Sequence, residues 1–365
     1  MNAMRFVQFF TLSLGSIALL LSASSLIAAE APSPAKRLTA AERRAEAEKQ
    51  ATKVSSSADG TEQLVIWYRP DEAAPDVAGP SVPLLVFLHT WSGGFEQGVS
   101  WIAQARKRGW ALLAPDFRGP NNRPEACASE LASQDILDAV AFAKKHARID
   151  AERIYLVGGS GGGHMSLVMA TRAPQLWAGV SAWVPIADLI AWHAESTAHH
   201  DGYASMVEKS CGGPPDAKTD AEYRKRSPLF HLAAAKDLPL DINTGIHDGH
   251  AGSVPVSQSL RAFNALAAAS GNTARQISDA DIASMVAEQK IPAALAGETQ
   301  VDPERVRPVL FRRSAGQARV TVFEGGHDSE SAAAIEWLAR QRRGQPADFS
   351  LGKAGVKSAV QEVAK

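Results

Sequence analysis

The sequence predicts an α/β fold in which helices cover both faces of a mostly parallel central sheet. Strand-like apolar runs alternate with longer helix-like runs along most of the chain. A glycine-rich segment follows one of the strand-like runs directly and leads into a helix-like run. The 365 residues, 45% hydrophobic and 21% charged, have globular composition and enough length for one large domain.

The strands and helices can be placed from residue type and spacing. Short runs rich in β-branched, aromatic and other apolar residues predict strands at residues 63–68, 84–88, 111–114, 154–157, 180–184, 238–243 and 320–323. Runs with helical spacing predict helices at residues 95–108, 130–147, 162–171, 255–269 and 330–341. Ligands bind at the carboxyl ends of the strands in open sheets of this kind, so functional residues are expected just after strands.

The chain is predicted to have one catalytic domain with additions at both ends. Arg5, the apolar residues 6–21 and the small residues up to Ala29 predict a signal peptide at 1–29, with an uncleaved membrane anchor as the alternative. A cleaved signal peptide implies a periplasmic or extracellular protein. Residues 30–60 are expected to be a linker or surface helix, 61–343 the catalytic domain, and 344–365 a polar, weakly ordered tail. Insertions at about 193–228 and 277–313 are candidates for a cap over the site.

The charge balance restricts the kinds of partner. The 38 basic and 39 acidic residues give a net charge of -1, so no global field favours nucleic acid or an anionic membrane surface. We expect a small-molecule or carbohydrate substrate, no nucleic acid, and no membrane contact after signal cleavage; the oligomeric state stays open. Cys127 and Cys211 are compatible with a disulfide or with two separate thiols.

Ser160 is the predicted nucleophile. It stands in the segment Gly158-Gly159-Ser160-Gly161-Gly162, between a predicted strand and a predicted helix. A serine on such a sharp turn has strained backbone angles, and only small residues two positions away leave room for it. The segment lacks the Gly-Lys-Ser/Thr ending of a nucleotide loop and the dinucleotide fingerprint. The pattern is typical of a serine hydrolase of the α/β-hydrolase fold.

A serine nucleophile needs a histidine base and a carboxylate that orients it, in the chain order Ser, Asp/Glu, His. Asp248 and His327 each follow a predicted strand and stand in this order. Asp241 competes with Asp248 but lies inside a strand. His164 and His250 compete with His327, but histidines one helical turn after the nucleophile or beside the acid more often serve packing or substrate contact.

The tetrahedral intermediate also requires backbone N–H donors around its oxyanion. Gly161, next after the nucleophile, should supply one donor. The loop after residues 84–88 should supply the other, with Trp91 preferred and Thr90 as the alternative.

Substrate contacts and metals are less clearly signalled. Trp192, Arg118 and His164 are the candidates for substrate binding. Trp91 is a further candidate for substrate contact, and Asn121 and Asn122 either line the pocket or shape a turn. The histidines near Asp248 and those between residues 193 and 200 lack a zinc-binding spacing such as His-Glu-x-x-His. We therefore expect no metal and no cofactor.

Three segments resemble the catalytic domains of prolyl-oligopeptidase-like proteins and related esterases. They are Asp150-x-x-Arg153-Ile154 before the serine turn, Asp248 followed by Ser253-Val254-Pro255, and Gly326-His327. The resemblance covers roughly residues 61–342 and implies an α/β-hydrolase fold with Ser160, Asp248 and His327 as the triad. Two departures stand out: only about sixty residues precede the first predicted strand, where prolyl oligopeptidases carry a β-propeller, and His89-Thr90-Trp91 replaces the usual His-Gly start of the oxyanion loop.

Because no propeller is evident, the sequence favours a secreted hydrolase of carboxylic esters that works through an acyl-enzyme. Acyl groups on carbohydrates are one substrate class that fits. The alternatives are a prolyl-oligopeptidase-like serine peptidase and a non-catalytic binding protein that retained the fold.

Overall fold

A nine-stranded sheet forms the centre of the protein in the computed structural model, which describes residues 39–351. The strands are β1 (Ala51–Ser55), β2 (Glu62–Tyr68), β3 (Val82–Leu88), β4 (Ala111–Pro115), β5 (Ile149–Gly159), β6 (Gly179–Trp183), β7 (Leu240–Gly245), β8 (Val309–Ala315) and β9 (Ala318–Phe323). Their order is β1-β2-β4-β3-β5-β6-β7-β9-β8. The six strands from β4 to β9 in this order are parallel, and β1, β2 and β8 run antiparallel to their neighbours. The predicted mostly parallel sheet is confirmed.

Helices cover both faces of the sheet, as predicted. They are α1 (Ala40–Glu48), α2 (Ile102–Lys107), α3 (Glu130–His146), α4 (Gly161–Arg172), α5 (Leu189–His199), α6 (Tyr203–Cys211), α7 (Asp220–Arg226), α8 (Val256–Ala269), α9 (Asp279–Glu288) and α10 (Ser331–Arg340). Helices α3, α4, α8 and α9 bury their apolar residues in one core, and α1, α2 and α10 contribute to a second core that includes other side chains of the sheet.

Helix α3 shows how local sequence specifies these elements. Ser129 caps its first turn, accepting a hydrogen bond from the Ala132 N–H at 3.0 Å. Apolar residues three and four apart, from Ala132 through Ile136 to Ala143, form its buried stripe. Basic residues in its last turn complement the helix dipole.

Two edge strands were not predicted. Strand β1 and helix α1 lie in the stretch expected to be a linker or surface helix, so the sheet begins ten residues before the expected boundary at residue 61. Only Val54 of β1 is buried. Because an edge strand of this kind needs few apolar residues, its sequence has no apolar run from which the strand could be predicted. Residues 1–38, which hold the predicted signal peptide and the start of the linker, lie outside the described residues.

Strand β8 lies within the expected insertion at 277–313, which is therefore partly a piece of the sheet. Its two adjacent arginines mask the strand pattern in the sequence. Both are largely buried because Arg312 pairs with Asp302 at 2.7 Å and Arg313 pairs with Glu298. These partners lie outside the strand, so the local sequence gives no indication that the charges are compensated.

The insertion at 193–228 is helical and packs against the loop after β3. Trp192 of α5, Val207 of α6 and Tyr223 of α7 share a buried cluster with Trp91. The start of the expected tail is attached to the body, since Phe349 packs against the second core and Gln341 bonds the Asp348 backbone. Residues 352–365 of that tail lie outside the described residues.

Cys127 and Cys211 are free, buried thiols in this structure. Burial raises the pKa of the Cys127 thiol to about 11, which disfavours the reactive thiolate. Among the described residues, no helix has both the length and the apolar character needed to cross a membrane.

Candidate active site

Ser160 occupies a strained turn between β5 and α4. Its backbone has φ 57° and ψ −121°, a conformation that L-residues rarely adopt outside such turns. Two backbone hydrogen bonds hold the turn: Ser160 N–H donates to the Trp183 carbonyl at 2.9 Å, and His164 N–H donates to the Ser160 carbonyl at 2.8 Å. The geometry matches the strand–turn–helix arrangement that presents a nucleophile at the top of a parallel sheet.

Asp248 and His327 form a directly hydrogen-bonded pair. His327 Nδ1 lies 2.8 Å from Asp248 Oδ2, and the Asp248 side chain is fully buried while that of His327 is 23% exposed. The other carboxylate oxygen, Oδ1, accepts hydrogen bonds from the backbone N–H groups of Gly249 at 2.9 Å and Val254 at 3.1 Å. These contacts fix the Asp248 carboxylate. The carboxylate in turn holds the His327 imidazole in the tautomer with the proton on Nδ1, so the Nε2 lone pair is available as a base.

The tight approach of the 248–254 loop to His327 depends on Gly252. A Cβ at Gly252 would lie 2.4 Å from Asp248 Oδ1 and 2.5 Å from His327 Cβ, so a larger residue would push the pair apart. His327 Nε2 is buried and has no hydrogen-bond partner in the described part of the chain.

The serine turn lies beside the histidine loop. The Ser329 side chain, two residues after His327, is 3.8 Å from the position of a Cβ on Gly159. Among the described residues, Ser160 Oγ forms no hydrogen bond with the His327 imidazole. Catalytic hydrogen bonds of this kind often shorten only when substrate binds.

Gly161 and Trp91 meet at the start of α4. A Cβ at Gly161 would lie only 2.3 Å from the Trp91 backbone nitrogen, so the two peptide groups are in close contact. The alternative donor, Thr90 N–H, is already used: it donates to Gln97 Oε1 at 3.0 Å, and Gln97 Nε2 donates back to Thr90 Oγ1 at 3.0 Å. The geometry therefore favours Trp91 over Thr90 as the second oxyanion donor. Gln97, which sequence reasoning did not single out, fixes this loop.

Arg118 does not line the site, contrary to expectation. Its guanidinium is 7% exposed and pairs with Asp135 at 2.6 Å and with Asp59 at 2.7 Å. These two carboxylates raise its pKa above the ordinary arginine value. The arginine thus ties the loop after β4 to helix α3 and to the β1–β2 turn, a role set by contacts distant in sequence.

The two other proposed substrate contacts are buried as well. Trp192 is 1% exposed, and its indole donates to the Ser253 carbonyl at 2.7 Å while its ring packs edge-on against Trp91, with centroids 4.6 Å apart. His164 is 0% exposed. Neither side chain can touch a substrate without movement of the surrounding helices, so both support the wall of the site rather than its surface.

The rivals for the acid and base have other partners. Asp241 is buried in β7 and pairs with Arg319 at 2.7 Å. His250 Nε2 lies 2.6 Å from the Val286 carbonyl. Within the described residues, no cluster of three or more His, Cys, Asp or Glu side chains has the arrangement of a metal site.

Sequence comparison assigns the chain to a known family. The sequence pattern of the prolyl oligopeptidase family matches residues 97–282, about half of the chain, a range that includes Ser160 and Asp248. The chain belongs to the prolyl oligopeptidase family. The chain accordingly has the α/β-hydrolase fold that its sequence predicts.

Two relatives with known names are distantly similar to the chain. Dipeptidyl aminopeptidase BIII of Pseudoxanthomonas mexicana is 28% identical over 207 residues, which cover 52% of this chain and 28% of that protein. The uncharacterized peptidase YtmA of Bacillus subtilis is 27% identical over 131 residues, which cover 35% of this chain and 48% of that protein. The chain thus matches about a quarter to a half of the length of these relatives.

A solved structure supports the fold independently. The acylaminoacyl peptidase of Pyrococcus horikoshii superposes with a TM-score of 0.54 at 16% identity, covering 83% of this chain and 42% of that one. At this identity the likeness concerns the fold alone.

Proposed function

We propose that this chain is a serine hydrolase, and specifically a peptidase that cleaves short peptides through an acyl-enzyme. The observation that carries the proposal is the Asp248–His327 pair, with a buried carboxylate and a free Nε2 lone pair, beside the strained Ser160 turn. Membership of the prolyl oligopeptidase family, together with relatives named as peptidases, favours peptides over the carboxylic and carbohydrate esters that the sequence alone suggested.

In the proposed reaction, His327 Nε2 removes the proton of Ser160 as Oγ attacks the scissile carbonyl carbon. Asp248, held by two backbone N–H groups, keeps the imidazole oriented and stabilises its positive charge. The N–H groups of Gly161 and Trp91 bind the oxyanion. His327 then donates its proton to the leaving amine, and water, deprotonated by the same histidine, releases the acyl group from Ser160.

A substrate panel tests the proposal. Aminoacyl and dipeptidyl p-nitroanilides, with free and blocked amino ends, are compared with p-nitrophenyl acetate and butyrate. Turnover of at least one peptide anilide is expected, and Ser160→Ala should abolish it while exposed Ser81→Ala leaves it unchanged. If esters are hydrolysed at Ser160 but no peptide substrate is, the peptidase assignment fails and the esterase interpretation replaces it.

Export belongs to the same proposal. Residues 1–29 have the charge and hydropathy of a signal peptide. N-terminal sequencing of the protein from its native host should find a mature chain that starts close to residue 30. A chain that begins at residue 1 and stays in the cytoplasmic fraction would contradict export.

A further inference from the structure

His164 is a buried histidine with no part in the proposed proton transfers. It stands one helical turn after Ser160, is 0% exposed, and its backbone N–H donates to the Ser160 carbonyl at 2.8 Å. Its ring Nδ1 lies 3.0 Å from the Ile186 carbonyl oxygen. The side chain is therefore anchored at one nitrogen, close behind the nucleophile.

The hydrogen bond to Ile186 defines the state of the ring. A carbonyl oxygen only accepts, so Nδ1 carries the proton. Burial lowers the pKa of His164 to about 4, so the imidazole is neutral near pH 7. The other nitrogen, Nε2, consequently carries a lone pair and can only accept a hydrogen bond.

Trp91 presents the complementary group. Its ring centroid lies 5.9 Å from that of His164, with the planes inclined by 57°. Its indole Nε1–H and the His164 Nε2 are both buried, and neither has a hydrogen-bond partner among the residues that the structure describes. An orphan donor and an orphan acceptor thus lie on neighbouring buried rings, where unpaired polar groups are costly.

We propose that His164 is a positioning residue for the oxyanion hole, with one internal water that accepts from the Trp91 indole N–H and donates to the His164 Nε2. This assignment rests on the proposed function. In it, His164 sets the orientation of Trp91, whose backbone N–H lies against Gly161. Other contacts hold Trp91 too, since Asn121 N–H donates to its carbonyl at 2.9 Å and Trp192 packs edge-on against its ring. The hydrogen bond of the indole N–H restricts the remaining rotation of the Trp91 side chain.

The test uses substitutions that separate positioning from substrate binding. His164→Phe keeps an aromatic ring and removes the acceptor, whereas His164→Gln can place an amide oxygen near the Nε2 position. Ser166→Ala is the matched control, because this buried serine lies on the same helix and its hydroxyl donates to the Gly162 carbonyl at 2.7 Å. For each variant, kcat and KM on a cleaved substrate are measured. The Ki of a trifluoromethyl ketone, whose hemiketal oxygen occupies the oxyanion hole, is measured alongside.

His164→Phe should lower kcat at least about tenfold, short of the 10²–10³-fold loss typical when an oxyanion donor is removed. KM should change less than twofold, and the ketone Ki should rise in parallel with the loss of kcat. His164→Gln should recover most of the activity, and Ser166→Ala should retain all of it. Unchanged kcat in His164→Phe, a change confined to KM, or an equal loss in Ser166→Ala would overturn the assignment.

Trp91→Phe provides a second route if His164→Phe does not fold. It removes the indole N–H and keeps an aromatic ring, so the same loss of kcat is expected. Combining Trp91→Phe with His164→Gln should cost no more than Trp91→Phe alone, because both act on one interaction. Additive losses would refute the coupling. Wild-type activity and labelling of Ser160 report on the proposed function separately, so failure of either hypothesis can be told from failure of the other.

Discussion

Gly161→Ala is the most informative single perturbation of the oxyanion hole. The new Cβ would lie 2.3 Å from the Trp91 nitrogen and 2.4 Å from its Cα, whereas ordinary van der Waals contact begins near 3.4 Å. The two peptide groups must therefore separate by about 1 Å. An oxyanion donor works at about 2.7–3.1 Å, so this shift takes one N–H out of range.

Loss of one donor lowers kcat about 10²–10³-fold, equivalent to about 2.7–4 kcal/mol of transition-state stabilisation. KM should change little, because the ground-state carbonyl gains much less from the donor than the oxyanion does. Steady-state kinetics on a peptide anilide measure both quantities, and circular dichroism checks the fold. Gly297→Ala is the control, since its Cβ would meet no atom within 4 Å. A folded Gly161→Ala enzyme with wild-type kcat would refute the placement of the oxyanion hole.

Three further predictions concern the acid and two ion pairs. Asp248→Asn should lower kcat about 10⁴-fold with the fold intact, because the amide no longer holds the imidazole tautomer that the base needs. Arg118→Met should destabilise the protein by about 3–5 kcal/mol, measured by urea unfolding, because it leaves the buried Asp135 carboxylate unpaired, while kcat stays unchanged. The Glu324 carboxylate, 2.6 Å from His247, raises the pKa of that imidazole. Because the pKa of His247 is higher in the folded state, the protonated imidazole stabilises the fold. This stabilisation is fully present below the unfolded-state pKa near 6.5 and is lost as the pH rises through the folded-state pKa. The Tm difference between wild type and Glu324→Gln should therefore be largest below about pH 6 and shrink as the pH rises above about 6.5.

Each of these predictions has a result that contradicts it. Full turnover in Asp248→Asn would move the acid to another residue. A loss of kcat in Arg118→Met at unchanged stability would restore Arg118 as a substrate contact. A Tm difference that grows with rising pH would show that His247 does not stabilise the fold as a cation.

The turn at Ser160 and the positions of Asp248 and His327 after strand ends were predictable because local sequence encodes them, and their catalytic roles stay predictions. The small residues around Ser160 permit one strained turn, and the positions of Asp248 and His327 follow from where parallel strands end. The alternation of strands and helices likewise predicted the central sheet and its covering helices, because each element carries its own apolar pattern.

The errors arose where distant residues decide the outcome. Arg118 follows a strand end like a functional residue, but Asp59 and Asp135 convert it into a buried structural ion pair. Strand β8 contains two arginines whose burial depends on acids elsewhere in the chain.

Burial was equally hard to foresee for the proposed substrate contacts. His164 and Trp192 lie near the site in sequence, but helices α5 to α7 pack against the loop of Trp91 and help to enclose them. Which face of the site stays open depends on this tertiary packing, so only the structure could assign these residues.

The central claim, that Ser160 is the nucleophile activated by His327, can be tested by covalent labelling. The native protein is treated with a fluorophosphonate, and the adduct is located by peptide mapping with mass spectrometry. One adduct per chain is expected, on the peptide that contains Ser160, with labelling abolished in Ser160→Ala and strongly slowed in His327→Ala. An adduct on another residue, or undiminished labelling of Ser160→Ala, would contradict the account.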